Sequence, residues 1–183
     1  MPRTTAVDSA AVLPLGFALT VALWAVAYVA HLPVVATPGP VTAALLLGAV
    51  LGGGFLIGRT TGRPLAALAA GAVASVLNML ILGSLLSSPE TIAVRPSALW
   101  WIPGSIVVVA LLAAAAALAG ARGVTAPAGV DGPALFGKVA VAATFLLVVA
   151  GGLVTSQEAG LAVVDWPNSF GYNMFLYPLS RMT

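Results

Sequence analysis

The sequence predicts an all-α, polytopic membrane protein with about five transmembrane helices. Three observations carry that prediction. Of the 183 residues, 61% are apolar and 7% are charged, against about 25% charged in an ordinary soluble domain, and the mean hydropathy is +1.11. The apolar residues come in unbroken runs of about twenty, the length that crosses a hydrocarbon core of about 30 Å as a helix. Almost every charged side chain lies between those runs. A β-barrel would need strands of about ten residues alternating apolar with polar, and no period of two is present.

In chain order, the first span is Leu13–Leu32, stopped by Pro33. Arg3 before it and Ala25-Val26-Ala27 within it also resemble a signal peptide with a small-x-small cleavage site. Its apolar core is longer than the usual 7–15 residues of such a region, so the transmembrane reading is preferred. Pro33, Pro38, Gly39 and Pro40 form a short uncharged turn, which makes the first two helices antiparallel neighbours. The second span, Val41–Ile57, ends in a tighter basic turn from Arg59 to Pro64. The third, Leu65–Leu86, leads into a polar connection with Pro89, Glu90, Arg95 and Pro96. Trp100 and Trp101 then sit at a membrane interface and open the fourth span, Leu99–Leu118. A Gly/Ala/Pro-rich linker over 120–134 carries Arg122 and Asp131 and is the best candidate for a domain boundary. The fifth span is Leu135–Val154. Lys138 falls in its first turn, from which a long side chain snorkels to the headgroups.

Counting Lys and Arg on alternating sides sets the orientation. With the N-terminus inside, Arg3, Arg59, Arg63, Arg122 and Lys138 are cytoplasmic, against Arg95 and Arg181 outside. Five against two favours a cytoplasmic N-terminus and an extracytoplasmic C-terminal segment.

Composition then narrows the chemistry. With no cysteine and one histidine, thiolate sites and tetrahedral zinc or copper sites are excluded. A net charge of +2 scattered over the loops offers no basic patch for nucleic acid. No span carries an ionisable group at its centre, which argues against proton relays and ion-coupled transport. It also weakens an independent transporter domain in residues 1–119. Asn78, with Ser75 one turn before it, is read as a helix-to-helix hydrogen bond rather than a substrate contact. His31 is read as an interfacial histidine. Its sharper reading, a haem axial ligand, would need Met1, Met79, Met174 or Met182 as partner. Gly48-x-x-x-Gly52, Gly54-x-x-x-Gly58 and the run Ala113–Ala117 are read as internal packing surfaces rather than a dimer face.

The densest run of unusual residues follows the fifth span. Gly151-Gly152-Leu153-Val154-Thr155 closes the helix, then come Glu158-Ala159-Gly160-Leu161-Ala162, Val163-Val164-Asp165-Trp166-Pro167 and Gly171. Read by composition, this is an anchored loop with Trp166 and Tyr172 at headgroup level. In order and spacing it also resembles the signature after the first helix of the haem A synthase family, the membrane enzymes of cytochrome oxidase assembly. There, a Gly-Gly or Gly-Ala pair, a Val or Thr with a short polar run, a small-Gly-Leu-small step, two aliphatic or small residues and an acid-Trp or acid-Trp-Pro follow one another in the same order. The resemblance covers little more than the last quarter of the chain, from about Leu135.

What the resemblance implies is an eight-helix enzyme of two four-helix halves that oxidises a ring methyl of haem O to give haem A. Haem b is its cofactor, and haem O and cytochrome oxidase assembly proteins are its partners beside the lipid bilayer. The matched loop would be extracytoplasmic in a bacterial-type cytoplasmic membrane, in agreement with the charge count. The family's haem-binding histidines lie in helices, the first in a Glu-x-x-His-Arg-like motif that this sequence lacks. No catalytic residue carries over, and the loop cysteine pair of some family members is missing, which points away from that subgroup. On this reading residues 1–119 are a four-helix membrane extension of unassigned role, and 135–183 are the first helix and loop of a longer enzyme, inactive as a fragment. The alternative is a non-catalytic multispanning scaffold, assembly factor or transporter-like module.

Overall fold

Helices form where the apolar runs lie and continue past them at most ends. In lipid, each backbone N–H and C=O must be paired within its own helix, so the helix persists through small polar residues and glycine alike. A computed structural model of the protein describes residues 9–32, 35–82, 97–125, 127, 129–156, 168–169 and 172–173. It contains α1 (Ser9–His31), α2 (Gly39–Thr61), α3 (Pro64–Leu82), α4 (Ala98–Gly120) and α5 (Gly132–Ser156). A two-residue antiparallel ladder, β1 (Asn168–Ser169) with β2 (Tyr172–Asn173), follows. The all-α, polytopic architecture expected from the sequence is the one observed.

By length and composition α1, α2, α4 and α5 each suffice to cross a membrane. The remaining helix, α3, has 19 residues, about 28 Å at 1.5 Å per residue, and an apolar stretch over Pro64–Met79. Its Ala67, Ala70 and Ala74 are fully buried.

The helices alternate in direction. Gly16 of α1 lies against Val73 of α3 while Trp24 reaches Asn78, so α1 and α3 are parallel. Gly54 and Gly58 of α2 lie against Ala113 and Ala117 of α4, so these two are parallel as well. Leu19 of α1 covers Gly53 of α2. The four helices form a ring in the order α1, α2, α4, α3, and α5 packs on α1 from outside. Phe17 and Phe136 make that contact, with ring centroids 5.6 Å apart.

Two turns are fixed by identifiable bonds. Between α1 and α2, Thr37 donates from both its backbone N–H (3.1 Å) and its hydroxyl (2.8 Å) to the Ala30 carbonyl. Its Oγ1 also meets Thr42 Oγ1 at 2.8 Å. Between α2 and α3, Gly62 takes φ 65°, a left-handed conformation that glycine adopts without steric cost, and its N–H caps the Gly58 carbonyl at 2.8 Å.

Several sequence boundaries need correction. Arg59 lies inside α2 rather than in the turn, which shrinks to Gly62 and Arg63. Lys138 is not in the first turn of its helix, because α5 starts at Gly132 and the ammonium is borne almost two turns in. Gly151 and Gly152 do not close α5, which runs on to Ser156. With apolar neighbours on both sides, glycine gives the chain no polar alternative to the helical bond. The third helix is described as far as Leu82, and residues 83–86 of the expected span lie outside the described residues.

Candidate functional site

Several polar side chains within the helices are engaged by hydrogen bonds. Asn78 bridges two elements: its Oδ1 accepts from Trp24 Nε1 at 2.9 Å and its Nδ2 donates to the Ala74 carbonyl at 2.9 Å. This is the helix-to-helix bond expected of Asn78, tying α3 to α1, and it uses the indole N–H that a buried tryptophan must satisfy. Thr20 is fully buried and donates to the Gly16 carbonyl at 2.9 Å. Among the described residues no buried side-chain nitrogen or oxygen is left unpaired.

His31 is the last residue of α1 and is exposed. Its Nδ1 lies 2.7 Å from the Ala27 carbonyl. A carbonyl only accepts, so Nδ1 carries the proton and Nε2 is the nitrogen left to accept or to ligate.

His31 is the one histidine, it stands at a helix end rather than inside the bundle, and Met1, Met174 and Met182 lie outside the described residues. No group of three His, Asp or Glu comes together among the described residues.

Of the loop positions singled out in the sequence, Gly151 and Gly152 are in α5, where a Cβ added at either would touch nothing within 4 Å. Thr155 is in the last turn of that helix. Glu158, Gly160, Leu161, Asp165, Trp166, Pro167 and Gly171 lie outside the described residues.

The structure adds two grooves that the sequence did not announce, both on the seam of α1 and α5. One, of about 530 Å³, is bordered by Trp24 and Tyr28 of α1 and by Thr144, Leu147 and Ala150 of α5. The other, of about 470 Å³, lies between α1, α2 and the start of α5 and includes Thr60, Asp131 and Lys138. Both volumes are in the range of small-molecule sites.

The alternating directions also bring Arg59, Arg63, Arg122 and Lys138 to one end of the bundle, that of the α2–α3 turn and the start of α5. Among the described residues Asp131 is the acid present there. Its Oδ1 accepts the Ala134 N–H at 3.0 Å, capping α5 in the manner expected at a helix N-terminus. The preceding linker is laid over the α2–α3 turn, with the Gly129 N–H on the Thr60 carbonyl at 3.2 Å.

Comparison with known proteins finds no family model, no curated protein and no solved structure that matches this chain.

Proposed function

We propose that the chain is the N-terminal, membrane-embedded part of a haem A synthase-like oxidoreductase of cytochrome oxidase assembly, which converts haem O to haem A. The observation that carries this reading is the unbroken order of residue types from Gly151 through Thr155, Glu158, Gly160, Leu161 and Asp165-Trp166-Pro167 to Gly171. Topology is compatible with it. The described basic residues gather at the end where α5 begins, and by the positive-inside rule that end is cytoplasmic. Chain beyond α5 then emerges on the outer side of a bacterial-type membrane, the side the resemblance assigns to the loop.

In this reading haem b is held by helical histidines outside these 183 residues, because the family's Glu-x-x-His-Arg-like motif is not among them. Haem, when bound, would supply the oxidation chemistry. The residues present here anchor the bundle and shape the outer loop. Haem O and other assembly proteins are the partners of the same proposal. A scaffold that carries the loop without catalysis is the second reading.

The test is made on the gene in its own host. With Asp165→Asn and Trp166→Ala together, extracted haem should shift from haem A to accumulated haem O. An unchanged ratio of the two haems sinks the enzymatic reading, and loss of assembled oxidase with haem A still made selects the scaffold. Purified from haem-replete membranes, the 183-residue chain should show no stoichiometric Soret band. A band that His31→Ala abolishes would overturn the assignment of the ligands to other helices.

A further inference from the structure

We propose that the groove between α1, α2 and the start of α5 is a binding site for a single anionic membrane phospholipid, a role that does not depend on the haem A synthase-like reading. The groove is amphipathic along its length. Leu19, Gly53 and Leu56 line its apolar part, while Thr60, Asp131 and Lys138 line the part toward the basic end. At about 470 Å³ it is large enough to take part of an acyl chain. Gly53 contributes to that room, since a Cβ there would lie 2.7 Å from Leu19 Cδ1.

Charge decides what kind of headgroup fits. Arg59, Arg63, Arg122 and Lys138 stand at this end, and the described acid among them, Asp131, is already engaged by the Ala134 N–H. Basic pockets between membrane helices take anionic lipid headgroups. A choline or ethanolamine headgroup would bring a further cation into the same cluster.

Lys138 supplies the sharper argument. It is the seventh residue of α5, about 9 Å along the axis, in a helix long and apolar enough to cross a membrane. It is exposed and makes no hydrogen bond or ion pair with a described residue. An ammonium at that depth is costly unless its side chain reaches the headgroups or meets an anion. A phosphodiester at the mouth of the groove gives the ammonium its partner, with an acyl chain lying against Leu19 and Leu56 below.

The experiment is native mass spectrometry of the full chain released from detergent, titrated with phosphatidylglycerol or with phosphatidylcholine of identical acyl chains. The wild type should retain one phosphatidylglycerol, with a preference of about fivefold, the ratio expected for one basic contact. Lys138→Gln should abolish the preference and Lys138→Arg should keep it. Ala22→Phe, which fills the apolar part of the groove and leaves every charge in place, should lower retention of both lipids. Circular dichroism of each variant verifies that the helices are intact. Equal retention of the two lipids by the wild type overturns the proposal. So does an unchanged preference in Lys138→Gln. Full retention in Ala22→Phe overturns it as well, by showing that the attraction is to the surface of the bundle and not to the groove.

Discussion

The ring of α1 to α4 and the outlying α5 are both helical, apolar and of similar length, yet they are held by different means. Where α4 meets α2 and α3, the contacts bring backbone against backbone. Gly54 and Gly58 rest on the Ala113 and Ala117 carbonyls, Gly120 on the Phe55 carbonyl, and Gly71 on Val109 and Ala110. At the seam of α1 and α5 the contact is ring on ring, Phe17 with Phe136, and two grooves remain beside it. Val139 is the buried large apolar side chain of α5, whereas Phe145, Leu147 and Val148 are exposed. Apolar burial gives no net drive between helices already in lipid, so close approach and dispersion decide association. Small residues therefore make the tight interface, and bulky ones leave space beside it.

The largest effect should come from breaking the ring at its closest approach. A Cβ at Gly58 would overlap the Ala117 carbonyl oxygen and Cα, and backbone atoms cannot move aside as the tip of a side chain can. Gly58→Leu should destabilise the bundle by about 3 kcal/mol, the upper part of the usual range for overpacking. The check is the midpoint of unfolding when sodium dodecyl sulfate is titrated against the chain in mild detergent. A loss below about 0.5 kcal/mol, the scale of an ordinary surface substitution, would mean that α2 and α4 do not meet there.

A smaller effect is expected where the ring is joined by a polar bond. Asn78→Leu removes the acceptor of the Trp24 indole N–H. Interhelical hydrogen bonds in membranes are worth about 0.6 kcal/mol on average and up to about 1.7, so a cost of about 1 kcal/mol is expected. Activity of a complete protein should stay within a few-fold. The Trp24 indole N–H resonance should shift upfield as the bond is lost. An unmoved resonance, or complete loss of activity in a folded variant, would return Asn78 to the list of functional residues.

Much of this comparison was legible in the sequence. The five apolar runs gave the helices, and the segregation of charge gave the basic end. Gly54-x-x-x-Gly58 and Ala113 to Ala117 were read as internal packing surfaces, which the structure sets against each other, and Asn78 as a bond between helices. Gly48-x-x-x-Gly52 looks the same on paper, but a Cβ at either position meets nothing within 4 Å. Spacing shows that two glycines share a face, and only the tertiary arrangement shows which face has a neighbour. Helix ends were less legible. Lys138 and the Gly151-Gly152 pair were both assigned to termini because charge and glycine are ordinary end signals. Both proved internal, because backbone pairing in lipid outweighs those preferences. The grooves were not legible at all, since an empty volume is set by several elements together and has no residue of its own.

The smallest effect tests the other side of the comparison. Gly137 and Gly152 are in α5, and an added Cβ at either would find open space. Neither position has a left-handed backbone conformation, so alanine fits without strain. Glycine within a helix costs roughly 0.5–1 kcal/mol relative to alanine through its greater freedom in the unfolded chain. Gly137→Ala and Gly152→Ala should therefore each raise stability by up to about that amount, the opposite sign to Gly58→Leu. The same detergent titration reads both. Gly152 is also part of the motif that resembles haem A synthase, so its variant separates two demands on one residue. A gain in stability together with loss of haem A in the host would assign Gly152 to function. Loss of stability would instead place a neighbour against α5 in the membrane, and the contrast between a packed ring and an open fifth helix would fail.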